Sequence, residues 1–300
     1  MILKIAEINK NNVCGIVITY NGSASINNTL FSLINNVRYV IIVDNGSTDN
    51  TLEIINSINL PNVFILKNDN NIGIASALNK GAALAFEFGF TWILTMDQDS
   101  ILDEFFMDEI IKVYDQLSDD VRKMTACLAP SLILQGSKKS SNCRSYRDFI
   151  FKDYVITSGN VVNLFYLNHV GGYTEKLFID SVDFDFCLRL RELNLLVVVC
   201  LKAFMFHELG SIKKIKFLIF TFNIHIHTKM RKYYMSRNHV YILKRFYKSN
   251  IKFCILKMIF FMLFIFQVIF FEPDKLSNLK TIFMGLKHGI EDNYKNVNLI

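Results

Sequence analysis

The sequence predicts an α/β fold in which a mostly parallel sheet is flanked by helices and followed by a helical, apolar and basic C-terminal region. Short β-branched runs alternate with helical patterns over the first hundred residues. A strict alternation of strand and helix is typical of a parallel sheet covered on both faces. The hydrophobic fraction of 51% in 300 residues provides for a sizeable core.

The predicted elements follow one another with short connections. Apolar β-branched runs indicate the strands, and apolar residues at helical spacing indicate the helices. In chain order they are a strand at Val13–Thr19, a helix at Ser25–Asn35, a strand at Tyr39–Val43, a helix at Asp49–Ile58, a strand at Val63–Leu66, a helix at Ile74–Phe88 and a strand at Thr91–Met96. Because ligands of such sheets bind beyond the carboxyl ends of the strands, we expect the chemistry there.

Two carboxylates follow the fourth of these strands. Residues i and i+2 of an extended backbone point to the same side, so Asp97 and Asp99 converge where a buried strand meets solvent. Two oxygen donors suit Mg2+ or Mn2+, which completes its shell with water and substrate phosphates. An ordinary polar loop is the alternative for an isolated pair of this kind.

Small and polar residues also follow the other three strands. They are Thr19, Tyr20 and Asn21 after the first, Asp44, Asn45 and Gly46 after the second, and Asn71, Gly73 and Asn79 after the third. An Asp at a strand end is suited to accept from a base N–H, and Gly46 permits a tight turn. Each group alone is typical of a turn or cap. Together with Asp97 and Asp99 they predict a nucleotide site.

The net charge of +6 is unevenly distributed. Residues 1–200 hold 16 Lys and Arg against 22 Asp and Glu, whereas residues 201–300 hold 17 against 5. The basic third contains the apolar run Ile251–Phe271, which only Lys252, Lys257 and Gln267 interrupt. Basic charge beside apolar sequence favours an anionic membrane surface over nucleic acid. The internal lysines favour a helix lying in the interface, with a spanning helix or a soluble core helix as alternatives.

The cysteines and the N-terminus bear on location. The six cysteines are irregularly spaced and include no Cys-x-x-Cys pair, which argues against a disulfide framework and a structural zinc site. The first residues lack a long uncharged core followed by a small-residue cleavage site, so no signal peptide is predicted. We therefore expect cytoplasmic residence.

Four ordered blocks resemble family 2 glycosyltransferases of the GT-A fold: Ile18–Asn21, Val43–Asp49, Asn71–Gly81 and Asp97–Ser100. The resemblance extends over about residues 13–245. The Asp-Gln-Asp-Ser block is similar to that of bacterial rhamnosyltransferases that build cell-surface polysaccharide such as O-antigen or capsule. The resemblance implies a dTDP-sugar donor, dTDP-rhamnose in particular, a Mg2+ or Mn2+ ion, and inversion at the anomeric carbon. It places Gln98 with Asp97 among the donor contacts.

The resemblance also implies roles in the second half of the chain. Asp183 falls at the catalytic base position of the family's acidic motif, and Asp180 and Asp185 are implied as acceptor contacts. The alternative is that these acids favour the dipole in the first turn of a helix. Family members more often have Glu-Trp where this chain has Asp185-Phe186, which affects the acceptor contacts.

His207 follows a predicted strand at Leu195–Val199. A lone His in such a place is usually structural. In many GT-A enzymes a His here completes the metal shell, so the resemblance implies His207 as a metal ligand or diphosphate contact, with Glu208 less favoured. His225 and His227 are two residues apart without a third donor, and we interpret them as structural.

The segment Lys229–Asn238 resembles the Tyr-Tyr-x-x-Arg-Asn element of the same branch. The guanidinium of Arg matches phosphate oxygens, so Arg237 is predicted to contact the donor diphosphate and Tyr234 the acceptor. For Arg231 and Lys232 the alternative is a basic face turned to solvent or lipid.

Residues 1–245 are predicted to form the GT-A domain, with residues 13–100 binding the nucleotide-sugar and residues 101–245 the acceptor. Residues 246–300 are predicted to be a membrane-associating helical tail, and Gly136–Arg144 a mobile polar loop that could act as a lid.

The expected activity is transfer of rhamnose from dTDP-rhamnose to a hydroxyl of a lipid-linked saccharide at the cytoplasmic face of the bacterial inner membrane, by a peripheral or monotopic protein. One alternative is a UDP-hexose donor. Another is a nucleotidyltransferase, against which counts the absence of a basic residue for a triphosphate in residues 13–25. A third is a non-catalytic membrane scaffold.

Overall fold

The computed structural model describes residues 7–58, 60–134, 147–207, 212–217 and 220–296. The chain forms two compact units. The first comprises residues 1–174 and 186–208, and the second comprises residues 175–185 and 209–300. The predicted domain boundary between residues 245 and 246 falls at the end of a helix and stays a prediction. The predicted loop Gly136–Arg144 lies outside the described residues.

The first unit is built around one sheet. Its strands are β1 (Val13–Thr19), β2 (Tyr39–Asp44), β3 (Val63–Lys67), β4 (Trp92–Asp97), β5 (Ser100–Leu102), β6 (Thr125–Leu134), β7 (Phe149–Phe151), β8 (Asn160–Asn163) and β9 (Leu196–His207). Within the described residues their spatial order is β3-β2-β1-β4-β8-β6-β9-β5, with β7 alongside β9. Strands β3, β2, β1 and β4 are parallel, as are β6 and β9.

Helices connect these strands. They are α1 (Ile26–Ile34), α2 (Thr51–Ile58), α3 (Ile74–Glu87), α4 (Phe106–Gln116), α5 (Asp119–Met124), α6 (Leu164–His169) and α7 (Val182–Glu192). Every residue of β1 is buried, as expected for a central parallel strand covered on both faces. The predicted α/β alternation is confirmed, with each of the seven predicted elements present.

Strand β9 is longer than predicted. The predicted strand ends at Val199, but the strand of the structure continues through Lys202 to His207. Its register against β6 shifts after Cys200, and the Lys202 ammonium lies 2.6 Å from the Asp148 carboxylate. Beyond the shift, β9 pairs with β5, so that His207 lies opposite Ser100.

The second unit contains the hairpin β10 (Ile212–Phe217) and β11 (Phe220–His225), and the helices α8 (Lys229–Phe246), α9 (Ile251–Phe271) and α10 (Lys275–Ile290). Helix α10 approaches α8 closely, since a Cβ at Gly289 would lie 2.7 Å from the Arg237 carbonyl oxygen. The Lys232 ammonium on α8 lies 2.5 Å from the carboxylate of Glu272, and both side chains are buried. This ion pair fixes the turn between α9 and α10 against α8.

Helix α9 meets, by length and composition, the requirements for crossing a membrane, and it is the one such helix in the described part of the chain. Most of its side chains are exposed.

Candidate metal and nucleotide site

Three potential metal ligands converge at the edge of the sheet. Asp97 is the last residue of β4, Asp99 lies in the turn to β5, and His207 is the last residue of β9. One ligand atom from each residue lies within 4.8 Å of the others, and all three residues are partly exposed. The structure thus brings together the three ligands that the sequence and its resemblance predict.

The chemistry of this cluster fits a divalent cation. The Asp99 Oδ1 atom is buried and accepts no hydrogen bond within the described residues. It lies 3.7 Å from His207 Nδ1. A buried carboxylate oxygen without a donor is unfavourable, and a cation would satisfy it. Two carboxylates and an imidazole form a donor set suited to Mg2+ or Mn2+.

A chain of hydrogen bonds through two serines connects Asp97 to His207. The Asp97 N–H donates to Ser158 Oγ at 3.0 Å, and the Ser158 hydroxyl donates to Ser100 Oγ at 2.9 Å. Ser100 Oγ lies 2.9 Å from His207 Nδ1. When Nδ1 carries the proton it donates to Ser100, which leaves the Nε2 lone pair for a metal. Sequence reasoning missed Ser100 and Ser158 because nothing local to either serine indicates this pairing.

Gln98 connects the end of β4 to the end of β1. Its Oε1 atom accepts from the Thr19 hydroxyl at 3.0 Å and from the Tyr20 N–H at 2.8 Å. Its Nε2 atom donates to the Tyr20 carbonyl at 3.3 Å. The predicted donor contact Gln98 therefore shapes the loop, while the Tyr20 side chain stays 45% exposed.

A hydrogen bond joins the loops that follow β1 and β2, and the second loop is a tight turn. Asp44 accepts from the N–H groups of Gly46 and Ser47 at 3.2 and 3.0 Å. Gly46 has a φ of +80°, and a Cβ there would collide with the backbone of Asn70, so this tight turn requires glycine. The Asn21 N–H donates to Ser47 Oγ at 2.9 Å, which ties the first loop to the second.

An amide network joins the loops after β2 and β3. Asn45 Nδ2 donates to Asn71 Oδ1 at 3.4 Å and to the Gly73 carbonyl at 3.3 Å. The Gly73 N–H in turn donates to Asn71 Oδ1 at 2.9 Å. Thr19, Asp44 and Asn45 are at most 2% exposed. Their hydrogen bonds give them a supporting role, and contact of these three with a nucleotide stays a prediction.

Asn79 has partners within the protein, and its contact with the sugar donor stays a prediction. Its Oδ1 atom accepts from the Tyr173 N–H at 2.8 Å, and its Nδ2 atom donates to the Tyr173 carbonyl at 2.9 Å. Both polar atoms of the amide therefore fasten the Gly171–Tyr173 turn to α3. The sequence could not show this pairing because the residues are far apart along the chain.

In the second unit, Asp183 is the second residue of α7, where a helix was predicted to begin. Its Oδ1 atom accepts from the Phe184 N–H at 2.9 Å. Withdrawal from water raises the pKa of Asp183 to about 6, and the negative charge of Asp180 acts in the same direction. The Phe184 N–H and the Lys257 ammonium oppose this rise. A carboxylate with a pKa near neutrality is suited to general base catalysis.

The loop before α7 has an unusual backbone. Phe178, Asp180 and Ser181 have φ values of 64°, 70° and 63°, a left-handed region that non-glycine residues rarely adopt. Asn238 Nδ2 donates to the carbonyls of Leu177, Ile179 and Asp180 at 2.8, 2.8 and 2.9 Å. Helix α8 therefore holds this loop in place.

The side chains of Arg237, Tyr234 and Asp185 are buried and have partners within the protein, and their predicted ligand contacts stay predictions. Arg237 Nη2 donates to the Lys176 carbonyl at 2.6 Å and to the Leu177 carbonyl at 3.1 Å. The Tyr234 ring stacks on Phe178 with centroids 4.7 Å apart. Asp185 accepts from the Tyr241 hydroxyl at 3.0 Å. A guanidinium donates hydrogen bonds to carbonyl oxygens as well as to phosphate oxygens. The sequence motif therefore indicates a hydrogen-bond donor but not the oxygen atoms that accept from it.

Several remaining predictions have separate outcomes. Glu208 and the side chain of His225 lie outside the described residues. The His227 ring lies 6.4 Å from the Phe264 ring, which agrees with the structural interpretation of His227. Asp180 is partly buried and accepts from the Ser181 hydroxyl at 2.8 Å, and its acceptor contact stays a prediction.

Comparisons with known sequences agree with this geometry. The family model for glycosyl transferase family 2 matches residues 14–126. A dTDP-rhamnosyl transferase, RfbF of Shigella flexneri, is 28% identical over 288 residues, which cover 93% of this chain and 95% of that protein. The hyaluronan synthase of Pasteurella multocida is 30% identical over 187 residues, which cover 59% of this chain and 18% of that protein.

Solved structures share the fold. S. aureus TarS 1–349 in complex with UDP-GlcNAc superposes with a TM-score of 0.61 at 14% identity, covering 95% of this chain and 89% of that one. GalNAc-T7 with UDP, GalNAc and Mn2+ superposes with a TM-score of 0.56 at 13% identity, covering 67% of this chain and 44% of that one. These likenesses bear on the fold alone, and they confirm the predicted GT-A architecture.

Proposed function

We propose that the chain is an inverting, metal-dependent rhamnosyltransferase of glycosyltransferase family 2, whose family model matches residues 14–126. Its donor is dTDP-rhamnose and its acceptor a hydroxyl of a lipid-linked saccharide in surface polysaccharide synthesis. The observation that carries the proposal is the convergence of Asp97, Asp99 and His207 within 4.8 Å beside the loops of a GT-A sheet. Similarity over 93% of the chain to a dTDP-rhamnosyl transferase supports the choice of donor.

Asp183 serves as the base of the reaction. It removes the proton of the acceptor hydroxyl while that oxygen attacks the anomeric carbon and the bond from that carbon to the diphosphate oxygen breaks. With a pKa of about 6 the carboxylate is ionised at neutral pH yet basic enough to take the proton. The Phe184 N–H orients it. Asp97, Asp99 and His207 would hold a divalent ion, which would supply charge stabilisation for the leaving nucleoside diphosphate.

The proposed donor is tested by the mass of the product. The chain is incubated with a lipid-linked saccharide extract and, separately, with dTDP-rhamnose, UDP-glucose or UDP-N-acetylglucosamine. We expect a product enlarged by one deoxyhexose with dTDP-rhamnose, lost after EDTA treatment and restored by Mn2+ or Mg2+. A product from a UDP-hexose alone would replace rhamnose with the alternative donor. Absence of transfer from every donor would favour the non-catalytic scaffold. Undiminished transfer in EDTA would contradict the proposed role of a metal ion.

We also propose that α9 lies in the plane of the cytoplasmic membrane surface. Its outward side chains are apolar and each at least 38% exposed: Ile255, Met258, Ile259, Met262, Leu263, Phe266 and Ile269. Its two ends are attached to the same unit, since the Phe253 ring lies 5.6 Å from that of Phe184 and Glu272 pairs with Lys232. A helix fastened at both ends with one apolar side exposed is suited to lie in the interface.

Vesicle flotation tests this placement. We expect the chain to float with anionic phosphatidylglycerol vesicles and to be released by alkaline carbonate. The double variant Met258→Glu with Met262→Glu should bind at least about tenfold more weakly, because two charges enter the apolar side. Phe86→Glu is the matched control, since Phe86 is 57% exposed on a helix of the first unit. Resistance to carbonate would favour a spanning helix, and equal flotation of the double variant would contradict a lipid-facing α9.

A further inference from the structure

Helix α9 has a second side that faces protein. Phe253, Lys257 and Phe261 are spaced four residues apart and so lie along one face. The Lys257 ammonium lies 3.9 Å from the centre of the Phe184 ring. Phe184 is the residue that follows Asp183 in the chain. The Phe261 ring stacks on His239 of α8 with centroids 4.2 Å apart. The inner side of the apolar helix therefore carries a single cation toward the first turn of α7.

The surroundings of Lys257 are acidic. Lys257 interacts electrostatically with both Asp180 and Asp183. Lys252, on the same helix, is exposed. An ammonium largely removed from water requires favourable partners, which the two carboxylates and the face of an aromatic ring supply. Lys257 thus differs from the predicted interfacial lysine of an amphipathic helix, because it points toward the candidate base.

The other titratable group here is His239. Burial and the Lys257 charge lower the pKa of His239 to about 4, while Asp180 opposes that shift. His239 is therefore neutral at working pH. The remaining carboxylate of this turn, that of Asp185, accepts a hydrogen bond from the Tyr241 hydroxyl. Burial and repulsion from Asp180 oppose the ionisation of Asp183, whereas the Phe184 N–H and, after it, the Lys257 charge favour it.

We propose that Lys257 is a positioning residue through which α9 keeps the carboxylate of Asp183 ionised and in place for the acceptor hydroxyl. The proposal rests on the proposed role of Asp183 as the base. The lysine charge offsets the repulsion between Asp180 and Asp183, so removing it makes Asp183 harder to ionise. The Phe184 ring, 3.9 Å from the ammonium, belongs to the residue that follows Asp183 in the chain and holds the ammonium at this end of α7.

The test is the pH dependence of transfer in Lys257→Met, measured with a detergent-solubilised acceptor. We expect the acid limb of the profile to move to higher pH by about one unit. Transfer at pH 6 then falls by about fivefold, the loss approaches about tenfold at pH 5, and transfer recovers at pH 8. Lys257→Arg should keep the wild-type profile because it restores the charge. Lys252→Met is the matched control and should leave the acid limb unmoved.

The outcomes separate this inference from the proposed function. An equal loss at every pH in Lys257→Met, with an unmoved acid limb, would reduce Lys257 to a packing role and overturn the inference. If Asp183→Asn transfers normally, the base assignment itself fails. If Asp183→Asn is inactive and the acid limb of Lys257→Met is unmoved, only the present inference fails. Thermal unfolding verifies that each variant is folded, and Lys257→Gln carries the same test if the methionine variant is not.

Discussion

The two acidic clusters of this molecule are positioned in different ways. Asp97 and Asp99 take their places from the end of a regular strand, and β9 delivers His207 to them through ordinary sheet pairing. Asp183 follows a loop with three left-handed residues, which the side chain of Asn238 holds from a distant helix. The difference teaches that the sheet alone suffices to place the candidate metal ligands, whereas the candidate base depends on packing in the second unit.

The largest expected effect is the loss of a metal ligand. Asp97→Asn or Asp99→Asn should lower the transfer rate by about 10³-fold or more, because charge stabilisation of the leaving diphosphate is lost. The unfolding temperature should stay close to that of the wild type, since the strand places the side chain. Initial rates at saturating donor give the comparison. Asp108→Asn is the control, because Asp108 is half-exposed and pairs with Lys10 at the surface. Variant rates within about threefold of the wild-type rate would contradict the proposal that Asp97 and Asp99 hold a metal ion needed for transfer.

The next effect concerns the base. Asp183→Asn should lower transfer by about 10²- to 10⁴-fold while nucleotide binding persists. In the wild type the base must be deprotonated, so the rate should rise with pH through about 6, the pKa of Asp183. Because the folded state disfavours the ionised form, the neutral Asn should not lower the unfolding temperature at pH 8. A wild-type rate that is flat between pH 5 and about 8 would contradict the assignment.

A smaller effect tests the support of the loop. Asn238→Ala removes the side-chain amide that donates to the carbonyls of Leu177, Ile179 and Asp180, so we expect a loss of about 1–3 kcal/mol in the free energy of unfolding. Transfer should fall with it, by about tenfold, because the loop leads directly to Asp183. Chemical denaturation and initial rates provide the two readings. Asn168→Ala, at an exposed position, is the control. An unchanged stability would mean that α8 does not hold the loop.

The smallest effect is expected below the metal cluster. Ser158→Ala removes the hydrogen bonds to the Asp97 N–H and to Ser100, but leaves all three ligands. We expect the metal concentration for half-maximal transfer to rise about tenfold, with the rate at saturating metal nearly preserved. A titration with Mn2+ measures both quantities. A lower rate at saturating metal, without weaker metal binding, would assign Ser158 to the chemistry instead.

The predictable part of the molecule is the part with local signals. The alternation of strands and helices and the positions of Asp97 and Asp99 follow from patterns a few residues long, and the structure contains each of them. The place of His207 needed the family resemblance, because Lys202 hides the continuation of β9. The register shift after Cys200 that admits Lys202 has no local signal.

The second unit was harder to predict because its interactions join distant residues. The sequence shows the motif around Arg237 and Asn238 but not its hydrogen-bond acceptors, which are the carbonyls of a loop some sixty residues away. Lys257 was interpreted as an interruption of an apolar run, since its direction depends on the packing of α9 against Phe184 and His239. Such roles become visible only when the helices are placed.

The most direct test of the metal site is the binding of Mn2+ in the presence of dTDP, followed by electron paramagnetic resonance. The structure leads us to expect one tightly bound ion per chain in the wild type and in Asp108→Asn. In Asp99→Asn, which removes the buried Oδ1 charge, we expect this tight site to be lost. Equal Mn2+ binding by the wild type and Asp99→Asn would contradict the assignment of Asp97, Asp99 and His207 as the metal centre.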